Sequence, residues 1–85
     1  MAVSDEEIIA GIRLLAETEG IFTETAGGVT VAAARRLIAD GKIPEDEPTV
    51  ICITGQGLKT QEPLVGVLPA PPLIEPRLDA FEKLI

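Results

Sequence analysis

The segment VSDEEIIAGIRLLAETEG, residues 3–20, specifies both ends of a helix. Ser4 is placed to cap the first free amides, Glu7 three positions on reaches back to the Ser4 amide, and Val3 can staple onto Ile8. Asp5, Glu6 and Glu7 put negative charge at the positive end of the helix dipole. Ile8, Ile12, Leu15 and Ala16 follow one another at i, i+4, i+7 and i+8, which makes a single apolar stripe, and Gly20 offers a left-handed stop. Any fold of this chain must cover that stripe.

The cover is close at hand. AGGVTVAAARRLIADGK predicts a second helix whose front half is small and apolar (Ala26, Gly27, Gly28, Ala32, Ala33, Ala34), so that a neighbouring backbone or a flat ligand can come close. Asp40-Gly41 reads as its stop, followed by the acidic, proline-bearing loop KIPEDEP. TVICIT, residues 49–54, is β-branched and apolar on both faces, the pattern of a strand buried on both sides in a parallel sheet. Beyond it a glycine loop leads to a short edge strand at Val65, Val67 and Leu68, an extended PAPP run and a closing helix in EPRLDAFEKLI with Pro76 near its first turn. No repeat and no second domain are visible, so residues 1–85 read as one small α/β domain: two or three helices around a short, mostly parallel strand set. With 85 residues and only two aromatics, Phe22 and Phe81, its core must be thin and aliphatic.

Charge and composition remove several function classes. The net charge is −7, and the basic residues stand singly apart from Arg35 and Arg36, so no basic stripe exists to neutralise phosphates and nucleic acid is not expected. One cysteine and no histidine leave almost no ligands for zinc, and the lone thiol suits a reducing cytoplasm. Apolar runs fall well short of the roughly 20 residues a bilayer requires, and no membrane association is expected.

Two places could carry chemistry. TGQGLK, Thr54 to Lys59, offers a hydroxyl at the end of the expected strand, backbone amides at Gly55 and Gly57, and a lysine, where ligands gather in open α/β sheets. It lacks P-loop spacing, and by spacing alone an ordinary glycine turn is the more economical reading. Glu24, just ahead of the small-residue helix, could orient a ligand or simply supply negative charge at the helix start. Cys52 reads as a small buried hydrophobe, and Arg35 and Arg36 as a solvated face. No nucleophile, base and oxyanion hole assemble, so no catalytic residue is assigned.

Taken in order, SDEEI, EGIFTETAGG, VAAARRLIADGKI and VICITGQGLKT closely resemble the C-terminal part of the threonine synthase family, pyridoxal-phosphate enzymes of the fold type II group. The resemblance covers nearly the whole chain. It implies the family reaction, conversion of O-phospho-L-homoserine and water to L-threonine and phosphate. It also implies that Thr54 hydrogen-bonds the cofactor's pyridine nitrogen, that Glu24 lies near the ring, and that Gly55 and Gly57 belong to the same cofactor-binding loop. Thr25 stands where the family usually has proline, and Gln56 where histidine or asparagine is common.

The family's Schiff-base lysine and phosphate-binding loop lie upstream of the matching segment, and neither Lys42 nor Lys59 stands in that lysine's motif. The resemblance therefore implies pyridoxal phosphate bound only when an N-terminal partner completes the site, and no catalysis by the chain alone. The alternative reading is an interaction or regulatory module, either a homo-oligomer or a chain bound to a larger protein through its aliphatic surface.

Overall fold

The computed structural model describes residues 1–85. Helix α1 runs over Asp5–Glu19 and α2 over Thr25–Ala39; two 3-10 turns follow at Gly57–Thr60 and Glu62–Leu64, and a short α3 closes the chain at Leu78–Glu82.

The start of α1 is a complete capping box. The Glu7 amide donates to Ser4 Oγ at 3.2 Å, and the Ser4 amide donates to Glu7 Oε2 at 2.7 Å. Gly20 ends the helix at φ 69°, a conformation that costs glycine little, with its amide on the Ala16 carbonyl. Helix α2 stops at Asp40, and Gly41 follows at φ 70°.

The two helices pack through their smallest residues. A Cβ on Gly11 of α1 would stand 2.6 Å from the Gly28 carbonyl oxygen, and one on Gly28 would stand 2.7 Å from Ile12 Cγ1 and 2.8 Å from the Ile8 carbonyl oxygen. The small front half of α2 thus receives α1, so Gly28 and Ala32 face a helix and not a ligand. Ile12, Val31 and Ala32 are the buried apolar core between them. Arg36, expected on a solvated face, instead ties the far end of α2 to the start of α1: its guanidinium pairs with the Glu7 carboxylate and donates to the Ala2 carbonyl at 2.7 Å.

The expected α/β architecture is not what forms. The molecule is helical, with no strand and no sheet; one isolated antiparallel bridge, Thr23 to Gln56, is its whole β content. Residues 49–54 carry no ladder: Val50 is 89% exposed, and Ile51 and Cys52 are exposed as well. A strand apolar on both faces needs neighbours to take up its backbone groups and layers to cover its side chains, and this chain supplies neither. Cys52 is accordingly a surface thiol and not a buried hydrophobe. The edge strand expected at Val65 to Leu68 is replaced by a turn through Gly66 at φ 80°, in which the Val67 amide returns to the Leu64 carbonyl.

The result is elongated. Its extents are 52 × 26 × 20 Å and its radius of gyration 16.6 Å, where a compact chain of this length would give about 12 Å. No helix is long and apolar enough to cross a membrane.

Candidate functional site

The turn between α1 and α2 and the TGQGLKT loop, far apart in sequence, lock against each other. The Glu24 amide donates to the Gly55 carbonyl at 3.0 Å and the Gly57 amide to the Phe22 carbonyl at 2.9 Å, framing the Thr23 to Gln56 bridge. One step further, the Thr25 amide donates to Thr60 Oγ1 at 3.1 Å, so a hydroxyl from the distant loop satisfies a free amide at the start of α2. Glu24 occupies the N-cap position yet makes no capping bond with its side chain, which is turned to the loop instead.

Three consecutive side chains each rest on a glycine. Phe22 lies against Gly57, Thr23 against Gly27 and Glu24 against Gly55, and at each of these glycines a Cβ would collide with the side chain it supports. Thr23 is 1% exposed, and its hydroxyl sits 3.2 Å from the Glu24 carbonyl and 3.5 Å from that of Gly55. Any side chain larger than hydrogen at Gly55 would occupy the place of the Glu24 carboxylate.

That carboxylate is the electrostatic centre. Glu24 is 7% exposed; its Oε1 accepts from the Thr54 hydroxyl at 3.1 Å and its Oε2 meets Lys59 Nζ at 3.1 Å. The hydrogen bond from Lys59, then that from Thr54, hold its pKa below the ordinary glutamate value, outweighing the opposite effect of burial. Thr54 itself is exposed. The ledge therefore presents an exposed threonine whose hydroxyl is backed by a sequestered negative charge. The Gly55 amide makes no hydrogen bond within the chain, whereas the Gly57 amide is spent on Phe22.

The ledge is an open face. The three clefts of the molecule, about 280 to 310 Å³ each, lie elsewhere: between Glu7, Ala10, Arg35 and Ala39; beside Ile8, Thr25 and Pro63; and between Ile12, Ala16, Phe22 and Leu68. No group of three or more potential metal ligands is gathered anywhere.

The four residues singled out from sequence, Glu24, Thr54, Gly55 and Gly57, come together here. Lys59 was visible only as a lysine in a glycine loop, and its pairing with Glu24 had no local signal. The same holds for Thr60, whose capping role depends on a contact spanning 35 positions.

Comparison with known proteins bears on the same residues. The family model described as pyridoxal-phosphate dependent enzyme matches residues 1–55, which include Glu24, Thr54 and Gly55. Threonine synthase of Methanocaldococcus jannaschii is 36% identical over 84 residues, 99% of this chain and 21% of that protein. Threonine synthase of Methanosarcina acetivorans is 40% identical over 85 residues, again 99% of this chain and 21% of that protein. Threonine synthase of Bacillus sp. strain ULM1 is 46% identical over 57 residues, 67% of this chain and 16% of that protein. The chain thus spans about one fifth of the length of the relatives it matches.

Proposed function

The chain belongs to the pyridoxal-phosphate-dependent enzymes as a threonine-synthase-like member, and from that premise we propose that the ledge of Glu24, Thr54, Gly55 and Gly57 is one wall of a cofactor site. The observation that carries this reading is the hydrogen bond from the hydroxyl of Thr54, an exposed residue, to the carboxylate of the buried Glu24. These residues fit the edge of a pyridine ring: Thr54 is a small polar residue that stands exposed, and the missing side chain of Gly55 leaves the room in which the Glu24 carboxylate sits beside it. When bound, the cofactor supplies an electron sink for bonds at the amino acid's α-carbon. Thr54 would bind and orient the ring nitrogen, Glu24 would fix Thr54, and the free Gly55 amide would offer one further donor.

In this reading the chain does not catalyse by itself. The lysine that holds the cofactor covalently and the loop that cradles its phosphate come from a partner segment, the part of the relatives' length that these residues do not match, and the assembled site converts O-phospho-L-homoserine and water to L-threonine and phosphate. The exposure of Val50, Val65, Leu73 and Ile85 supports a chain whose second half is covered by such a partner or by a second copy. The exposed, unpaired Cys52 suits a reducing cytoplasm.

The test combines this chain with the roughly four-fifths of the Methanocaldococcus jannaschii threonine synthase that it does not match. Phosphate release from O-phospho-L-homoserine is then assayed with added pyridoxal phosphate. Release is expected only when both polypeptides are present, and a Thr54→Val chain should lower it without altering assembly. Full assembly with no release, and no effect of the cofactor on melting, would overturn the proposal.

A further inference from the structure

The apolar stripe of α1 runs past its cover. Ile12 is sealed against α2, but Ala16, one turn on, is exposed and borders an open cleft of about 290 Å³ together with Phe22, Leu64 and Leu68. Arg13 and Glu17 also line this cleft, paired with each other at 3.4 Å through exposed side chains.

At the other end of the chain α3 has the converse shape. Leu78, Phe81 and, just past the helix, Leu84 recur every three positions and are 50–71% exposed, so the turn carries an apolar face with no cover. The neighbouring Glu82 and Lys83 pair with no other charge. No residue of α3 lines any cleft of its own chain.

The link between cleft and helix decides where α3 can go. Residues 69–76, PAPPLIEP, have no regular structure and are exposed throughout, and every hydrogen bond of residues 69–85 stays within that stretch. A proline-rich run extends about 3.1 Å per residue and is semi-rigid, so the ten steps from Leu68 to Leu78 carry α3 about 30 Å away. No glycine follows Gly66 to make a tight reversal. The 52 Å length of the molecule agrees with an arm that leads outward.

We propose that residues 69–85 form an exchange arm: α3 of one copy seats Phe81 in the cleft of Ile12, Ala16, Phe22, Leu64 and Leu68 of a second copy, which returns its own arm in the same way. Such an exchange is isologous and closes as a two-fold dimer. A second copy is the occupant because each chain carries one cleft and one apolar helix that its own link holds apart. The charges agree, since the cleft offers one of each sign in Arg13 and Glu17 and the arm brings one of each in Glu82 and Lys83. The arm and the seven residues lining the cleft give each copy a share in the range of a standard interface, about 20–30 residues a side. The exchange also brings the chain's two aromatic residues, Phe22 and Phe81, together, each such ring burying about 150–250 Å². The inference does not depend on the cofactor reading, because the cleft includes none of Glu24, Thr54, Gly55 and Gly57.

The test is sedimentation equilibrium of the full chain from micromolar to millimolar concentration, with circular dichroism of each variant to follow α1 and α2. The unmodified chain is expected to move between monomer and dimer. Phe81→Ser and Ala16→Glu, both at exposed positions, should each raise the dissociation constant at least about a hundredfold with helix content unchanged. An equimolar mixture of the two variants is the sharper measurement. Phe81→Ser keeps an intact cleft and Ala16→Glu an intact arm, so a mixed dimer regains one of its two seats and should form at least about tenfold more tightly than either variant alone. Dimers that the substitutions leave unchanged, variants that fail to rescue each other, or open-ended assemblies overturn the inference. A chain that stays monomeric at every concentration overturns it too, and if Ala16→Glu then weakens binding of the partner segment, the cleft belongs to that segment.

Discussion

Residues 1–43 and residues 44–85 obey different rules. In the first region α1 has a complete cap at its start and a left-handed glycine at its end, and the helix pair shares a backbone-close contact and a cross-tie from Arg36 to Glu7. In the second, helical order is limited to two single-turn 3-10 pieces and a five-residue α3, and Gly57 is its only buried residue. The contrast shows where the stabilising information lies. The hairpin carries its partners within itself, and the second region borrows order where it touches the hairpin, between Thr54 and Thr60.

The contrast breaks most completely at Ile12, which is 1% exposed in a core of three apolar residues. Ile12→Ala should cost about 2–5 kcal/mol, enough to abolish a cooperative melt in so thin a core, as read by circular dichroism. Gly28→Ala places a methyl group where Ile12 and the Ile8 carbonyl already stand, and should cost about 1–3 kcal/mol in urea unfolding. Ser4→Ala removes half of the capping box and should cost about 1 kcal/mol.

Acid should act on the same contacts more gently, because their partners are partly exposed. Glu7 is held below the ordinary range by the Ser4 amide and then Arg36, and Glu24 by Lys59 and then Thr54. Both folded values lie under the unfolded one, so these contributions are complete above about pH 4.3 and fade as pH falls through the lowered folded values. A melting series across that window should flatten in Glu7→Gln and in Glu24→Gln. The smallest effect is expected in the second region. Val50→Ser and Leu73→Ser, at fully open positions, should change the stability of the isolated monomer by less than about 0.5 kcal/mol. A larger loss, together with a fall in sedimentation coefficient, would show that another copy covers these side chains in solution.

What could be read from the sequence follows this division. Ser4 with Glu7 and Gly20 lie within a few positions of their partners, and their chemistry was visible in one stretch of text. The small face of α2 was readable as a place of close approach, although not that α1 would be the occupant. Thr49 to Thr54 misled because its composition describes a strand with neighbours, while strand formation depends on who pairs with it. The residues of the ledge were nameable through family resemblance. Their mutual arrangement was not, since Thr54 meets Glu24 across 30 positions and Thr60 meets Thr25 across 35. The reach of Arg36 to Glu7 across 29 positions was hidden for the same reason.

The contact between Gly11 and Gly28 has a mechanical meaning. Where long side chains separate two helices, rotamer changes let one slide on the other; here the backbones touch and no such bearing exists. The hairpin therefore moves as one lever, with Glu24 at the head of α2. Because Glu24 both heads α2 and accepts from the Thr54 hydroxyl, a displacement of α1 that carries α2 with it also moves that hydroxyl's partner.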